Sequence, residues 1–326
     1  MVKVAITGGT GFIGKKLVLL HLKMGDEVRY LTRTDSQPII GAEAIVGDLN
    51  STAGQLLRLL SNSDVFYHCA GELKNDALMH SIHVQGTINL LHVIEKAHSQ
   101  NEKGFHWIQL SSCGAYGQTS SPPSIARYVD ESTQDNPSGE YECTKTEADN
   151  LIIEFAKKHD WFKYTIIRPT IVFGVGMRST LILRIASMIK KRLFFYIGNK
   201  NAVANFVHVD DVVKAMLLSA NQPNAYNQTF IISNDCKLSD VVEVSAEVLL
   251  VPKPCWVINE LFLRKFIGVT GKWIKLPISS EQIDVMVRQT SYSNNKIRKA
   301  IDWLPSDLVL VQLKQYMNAV FNVKNG

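Results

Sequence analysis

Thr7-Gly8-Gly9-Thr10-Gly11-Phe12-Ile13-Gly14 lies between a short apolar run, Val2-Lys3-Val4-Ala5-Ile6, and Lys15-Lys16-Leu17-Val18-Leu19-Leu20, whose apolar residues suit one face of a helix. A strand, a glycine turn and a helix in that order make a phosphate cradle. Gly8 permits the tight turn, Gly11 lets backbone approach a pyrophosphate, and Gly14 lets the helix pack on the strand. The helix start then presents free N–H groups and a positive dipole end to an anion. Thr7, Gly8, Gly11, Phe12, Ile13 and Gly14 are therefore expected to hold a dinucleotide, and the remaining chain must supply the other parts of such a site.

Downstream, strand-like and helix-like segments alternate. Strands are expected at Val28–Thr32, Ala44–Val46, Val65–His68, Trp107–Leu110 and Tyr164–Ile167, with the clearest helices at Thr87–His98 and Tyr141–His159. This pattern predicts an α/β fold, a doubly wound parallel sheet of Rossmann type with a smaller mixed α/β C-terminal substrate lobe. The dinucleotide-binding domain is placed at 1–172, with 205–235 returning to it, and the substrate lobe mainly at 173–326. Alternation breaks down after Arg168-Pro169, where the lobe would close the crevice outside the carboxyl ends of the strands.

The second strand bears on cofactor choice. An acidic residue about twenty positions beyond the glycine turn would accept from the adenosine ribose and repel a phosphate there. Here the strand ends in Thr32-Arg33, and a guanidinium pairs well with the extra phosphate of NADP. NADP is the expected cofactor, with NAD the alternative. Asp48 in Val46-Gly47-Asp48-Leu49 is placed to accept from the adenine amino group. Cys69, Ala70 and Gly71 are small residues past which the cofactor could run.

Tyr141-Glu142-Cys143-Thr144-Lys145 puts a phenol and an ammonium one helical turn apart. Reduction of a ketone leaves an alkoxide that needs a proton, and a free phenol near pKa 10 supplies one sluggishly. Lys145 is expected to lower that pKa and to hold the nicotinamide ribose. Ser112, in Leu110-Ser111-Ser112-Cys113-Gly114-Ala115-Tyr116-Gly117, follows a strand and could orient the substrate oxygen. Cys113 has no base placed to activate it. The nine histidines show no metal spacing, and no metal site is expected.

These motifs, taken in order, resemble the extended short-chain dehydrogenase/reductases, the NAD-dependent epimerase/dehydratase family of sugar-nucleotide epimerases, dehydratases and ketoreductases. The likeness runs from Val2 to about Asp211. It adds Val84-Gln85-Gly86-Thr87, Arg168-Pro169-Thr170-Ile171-Val172-Phe173-Gly174 and Phe206-Val207-His208-Val209-Asp210-Asp211 to the segments above. It implies Ser112, Tyr141 and Lys145 as a catalytic triad, Asp48 and Leu49 beside the adenine, and Pro169 beside the nicotinamide. The Ile166–Gly174 segment, the Ile197–Asp211 stretch and Thr270-Gly271-Lys272 are similar to bacterial enzymes of surface-polysaccharide sugars. Three features depart from the nucleotide-sugar pattern. His83 replaces the usual Asn, Ala204 replaces the arginine that clamps a diphosphate, and the loop between His68 and Val84 is short. Lys200, Arg178 or the Lys190-Lys191-Arg192 cluster would have to substitute, although a solvated basic face suits that cluster better.

The implied function is hydride transfer at a sugar carbonyl or hydroxyl carbon of a nucleotide- or polyprenyl-diphosphate-linked sugar. The alternatives are an epimerase holding NAD tightly, a reductase of an apolar ketone, and a non-catalytic NADP-binding protein. The 326 residues are 46% hydrophobic and 20% charged, and the formal charge of +5 is spread along the chain, so nucleic acid is not an expected partner while an anionic small molecule is. Five cysteines without a C-x-x-C pair fit a reducing compartment. The chain starts directly at its first strand, with no secretory pattern and no apolar run near the ~20 residues a bilayer span needs, so the cytoplasm is expected. A homodimer through the Tyr141–His159 helix is a family expectation. Leu193-Phe194-Phe195-Tyr196, Trp256-Val257-Ile258 and Leu261-Phe262-Leu263 are expected to be lobe core, with a pocket lining or a peripheral membrane contact as the alternative.

Overall fold

The computed structural model describes residues 1–34, 38–51, 53–98, 104–118, 121–177, 181–270 and 280–321. Seven strands form its one large sheet. They are β1 (Lys3–Thr7), β2 (Glu27–Thr32), β3 (Glu43–Val46), β4 (Val65–His68), β5 (Phe105–Leu110), β6 (Phe162–Pro169) and β7 (Gln228–Ile232). All neighbours run parallel, in the order β7-β6-β5-β4-β1-β2-β3. This doubly wound arrangement is the expected one. Each strand prediction overlaps a strand of the structure, and the two helices occupy Gly86–His98 and Glu140–Lys158.

The short apolar strands make sense because both faces of the sheet are covered. Side chains alternate between the faces with period two. Val4 and Ile6 of β1, Val65 and Tyr67 of β4 and Ile108 of β5 pack with Leu17 and Val18 of the helix Phe12–Lys23 and with Val209, Val212 and Val213 of the helix Val209–Ser219. Ala5, Phe66 and Trp107, their neighbours along the same strands, join Leu56, Leu90 and Ile152 on the opposite face. Trp303 reaches the first of these clusters from the C-terminal region and donates its indole N–H to the Asp211 carbonyl (3.0 Å).

A separate core lies beyond the sheet. Helices Leu181–Lys190, Leu238–Val248 and Val309–Phe321 close over Phe173, Phe206 and Tyr196. Beside it, the two-residue strands Tyr196–Ile197 and Val257–Ile258 pair in parallel, with Leu263, Ile283 and Val287 beneath them.

The strand order reverses between β1 and β4, whose ends meet in register at Thr7 and His68. A crevice outside the carboxyl ends of the strands at that switch point is where such sheets bind ligands. The glycine turn after β1 and the Cys69-Ala70-Gly71 segment after β4 both lie there.

Candidate active site

Gly8 adopts φ +67°, and a Cβ on it would stand 2.7 Å from the backbone of Cys69 and Ala70. The turn after β1 is therefore pressed against the segment after β4, with no room for a side chain between them. Gly14 shows the second close approach, since its Cβ would fall 2.2 Å from the Gly8 carbonyl oxygen. Gly11 caps the helix Phe12–Lys23 without a side-chain hydrogen bond, and no acidic residue lies in the first turn. The leading N–H groups are thus left for an anion. A dinucleotide pyrophosphate fits this cradle by shape and by donor chemistry.

Thr7 itself is fully buried. Its hydroxyl shares a 2.5 Å hydrogen bond with His68 Nδ1 and accepts from the Ala70 N–H (3.3 Å), so its side chain fastens β1 to the loop after β4. Phe12 and Ile13 are half-buried at the crevice. Asp48 is exposed and accepts from the Asn50 N–H (2.8 Å), while Leu49 is buried and packs against Gly86. Arg33 is exposed at the end of β2, close enough to Glu72 for its charge to help hold that carboxyl below the ordinary range, behind the larger effect of N–H donation from Lys74. Pro169 is buried at the end of β6, opposite Ile232.

Ser112, Tyr141 and Lys145 converge at the ends of β5 and the helix Glu140–Lys158. Ser112 caps a single helical turn, Cys113–Tyr116, its hydroxyl accepting from the Gly114 N–H (3.0 Å). Tyr141 is half-buried. Burial, and then the Asp149 carboxylate, push its phenol up to about 12, while a hydrogen bond with Ser112 pulls it back. Lys145 is buried and donates from Nζ to the Leu110 carbonyl (2.5 Å). Its pKa is lowered by burial against the opposing pull of Asp149. The expected depression of the phenol pKa by Lys145 is therefore not what the geometry gives. The ammonium is engaged with backbone, and desolvation keeps the phenol protonated.

Asp149, one further turn along the same helix, escaped the sequence reading. The signal was its i+4 spacing from Lys145 on the face that carries Tyr141. Its Oδ2 accepts from Ser111 Oγ (2.7 Å) and from Arg168 Nη2 (3.1 Å) and Nε (3.2 Å). Arg168 also forms a two-pronged pair with Asp135 (2.7 and 2.9 Å) and lies over the Tyr116 ring at 4.9 Å. Cys113 is buried against the Arg168 carbonyl, and burial pushes its thiol well up, which suits a packing role.

His83 sits in a π-helical turn, Ser81–Gln85. Its Nε2 accepts from the Glu72 N–H (2.9 Å), so Nδ1 carries the proton and donates to Thr144 Oγ1 (2.8 Å). Thr144 in turn donates to the Glu140 carbonyl (2.7 Å). Burial, followed by the charge of Lys145, pushes His83 down to about 3, so the ring is neutral. It stands edge-on to Tyr141, with ring centroids 5.6 Å apart. In the place where the family pattern has Asn, His83 links the loop after β4 to the Tyr141 helix.

Ala204 is buried and contributes no charge. Lys200 lies over the Tyr196 ring at 4.5 Å. Arg178, Gly271 and Lys272 lie outside the described residues. Among the described residues no cluster of three or more His, Cys, Asp or Glu side chains is arranged to hold a metal ion.

A model of the NAD-dependent epimerase/dehydratase family matches residues 4–233. The chain belongs to that family. UDP-glucose 4-epimerase of Vibrio cholerae is 25% identical over 99% of this chain and 96% of its own length. A farnesyl-dihydroquinoline-oxide ketoreductase of Stigmatella aurantiaca is 26% identical over 67% of this chain and 64% of its own. The same fold is seen in the UDP-glucuronic acid 4-epimerase of Bacillus cereus in complex with NAD (17% identity, TM-score 0.71, 98% of this chain and 99% of that one). It is also seen in RMD from Pseudomonas aeruginosa complexed with NADPH (18%, TM-score 0.69, 98% of each chain). This chain is thus a nicotinamide-cofactor enzyme of the epimerase, dehydratase and reductase type.

Proposed function

We propose that this family member is an NADP-preferring oxidoreductase acting at a sugar carbonyl or hydroxyl carbon of a diphosphate-linked sugar, with Ser112, Tyr141 and Lys145 as its catalytic residues. The observation that carries this reading is the phenol of Tyr141, held protonated at the crevice with Ser112 beside it and Lys145 one turn behind. When bound, the nicotinamide supplies or takes the hydride. Ser112 donates to the substrate oxygen and fixes its position. Tyr141 gives its proton to that oxygen as negative charge builds there, because an alkoxide is a stronger base than the phenolate left behind even with the phenol pKa raised. Lys145, anchored on Leu110, offers further N–H groups to the nicotinamide ribose. Gly8, Gly11, Phe12, Ile13, Gly14, Asp48, Leu49, Cys69, Ala70, Gly71 and Pro169 would form the cofactor's bed, the buried Thr7 would hold it in shape from beneath, and Arg33 would pair with the 2′-phosphate.

A second reading, epimerisation with tightly held NAD, is favoured by the likeness to UDP-glucose 4-epimerase along 99% of the chain. A third, reduction of an apolar ketone, is favoured by the buried Ala204 in place of an arginine clamp. The test is Tyr141→Phe, assayed with UDP-, CDP- and GDP-linked sugars and with an apolar ketone, alongside mass spectrometry of any cofactor retained on purification. The variant should lose about 100-fold or more in turnover while binding cofactor normally. Undiminished turnover would remove Tyr141 from the chemistry. Stoichiometric retained NAD would move the assignment to the epimerase.

A further inference from the structure

The aromatic segments of the C-terminal lobe are only half core. Phe194, Tyr196, Ile197 and Leu263 are buried, but Trp256 is 77% exposed, Leu261 70%, Phe262 66% and Leu193 63%. The backbone draws these residues together. The Tyr196 N–H donates to the Trp256 carbonyl (2.8 Å) and the Gly198 N–H to the Ile258 carbonyl (3.0 Å), so Trp256 and Val257 flank the strand that Leu193 leads into. Leu261 and Phe262 lie in the first turn of the helix Glu260–Thr270, which starts two residues after Ile258. The apolar patch is therefore the outer face of a small paired-strand and helix unit whose inner face is core.

Its charge is one-sided. Lys190, Lys191 and Arg192, exposed where the helix Leu181–Lys190 ends, immediately precede Leu193. Lys265 is exposed one turn beyond Leu261. Among the described residues none of these four cations has an acidic partner, and residues 181–200 contain no acid at all. Glu260, the one acid between 249 and 265, is paired with Arg264 (2.9 Å). Exposed Trp and Leu beside unneutralised Lys and Arg have the chemistry of the interface of a bilayer that carries anionic lipid. A second copy docking by the same patch would bring the Lys190-Lys191-Arg192 clusters toward each other, which like-charge repulsion opposes.

We propose that this face of the lobe docks on an anionic lipid bilayer, with Trp256, Leu261 and Leu193 entering the headgroup layer and Lys190, Lys191, Arg192 and Lys265 on the anionic headgroups. The docking does not depend on which substrate the crevice takes. The full chain should sediment with phosphatidylglycerol-containing vesicles but not with pure phosphatidylcholine, and high salt should weaken the binding. Trp256→Ala combined with Leu261→Ser, and separately Lys190→Gln with Lys191→Gln and Arg192→Gln, should each cut the bound fraction about tenfold. Unchanged thermal melts would show that the variants fold. If they do not fold, bromine-labelled lipid in the anionic vesicles should still quench the wild-type tryptophan fluorescence, and the single Trp256→Phe variant should lose that quenching, which separates Trp256 from Trp107, Trp161, Trp273 and Trp303. Failure of the wild-type chain to sediment with, or be quenched by, anionic vesicles would overturn the proposal. So would equal binding by folded variants of both sets, or a dimer that the Trp256→Ala, Leu261→Ser variant abolishes.

Discussion

Tyr141, Lys145 and Asp149 share one helical stripe, and in the proposed reaction Asp149 bears on the protonation of the other two, raising the pKa of each. Asp149 is fully buried, and its negative charge helps keep the phenol protonated. Burial raises the Asp149 pKa, while Arg168 chiefly opposes that rise. Replacing Asp149 by Asn removes the charge but leaves Arg168 its two-pronged pair with Asp135. The phenol should then ionise more readily. The proposed reduction needs the protonated phenol, so the alkaline falling limb of kcat/KM should move to lower pH in Asp149→Asn, at a stability cost of about 3 kcal/mol. A pH profile identical to the wild type would show that Asp149 only braces Arg168. Tyr141 and Lys145 were legible from their spacing. Their protonation was not, because it depends on where the Lys145 ammonium points, on how deeply the phenol is desolvated and on the buried Asp149.

At the scale of elements, the strand–turn–helix at the N-terminus could be read because its three glycines answer to local geometry, a positive φ and two close backbone approaches. The sheet was equally readable, since strands covered on both faces leave short apolar runs in the sequence. The C-terminal lobe was not. Its strands are two or three residues long and its helices pack by tertiary contact, so Phe194 and Trp256 look alike in the sequence although one is buried and the other exposed. The π-helical turn around His83 also leaves no periodic trace. The His83 ring is held by two hydrogen bonds, with the Glu72 N–H and with Thr144 Oγ1, that tie it to segments elsewhere in the chain.

The whole molecule carries a pH dependence of stability that follows from buried neutral histidines. His68 is held well below its ordinary range by burial, His83 at about 3 and His106 at about 4. The unfolded chain protonates them near 6.5, so between 6.5 and about 4 it binds protons that the folded chain refuses. Their contribution is complete above 6.5 and is lost as the pH falls through that window. The melting temperature should drop steadily below about pH 6.5, and His106→Gln should flatten part of the decline. A wild-type melting temperature that stays level down to about pH 4.5 would contradict this. No helix among the described residues is long and apolar enough to cross a membrane. In the proposed function the crevice at the carboxyl ends of the strands holds NADP, with Arg33 as the selecting charge. Titration of NADPH and NADH into the wild-type chain and into Arg33→Ala tests this most directly. Saturable binding with NADPH preferred about tenfold or more, and the preference erased in the variant, is the predicted result. Equal affinity for the two cofactors in the wild type, or binding of neither, would contradict it.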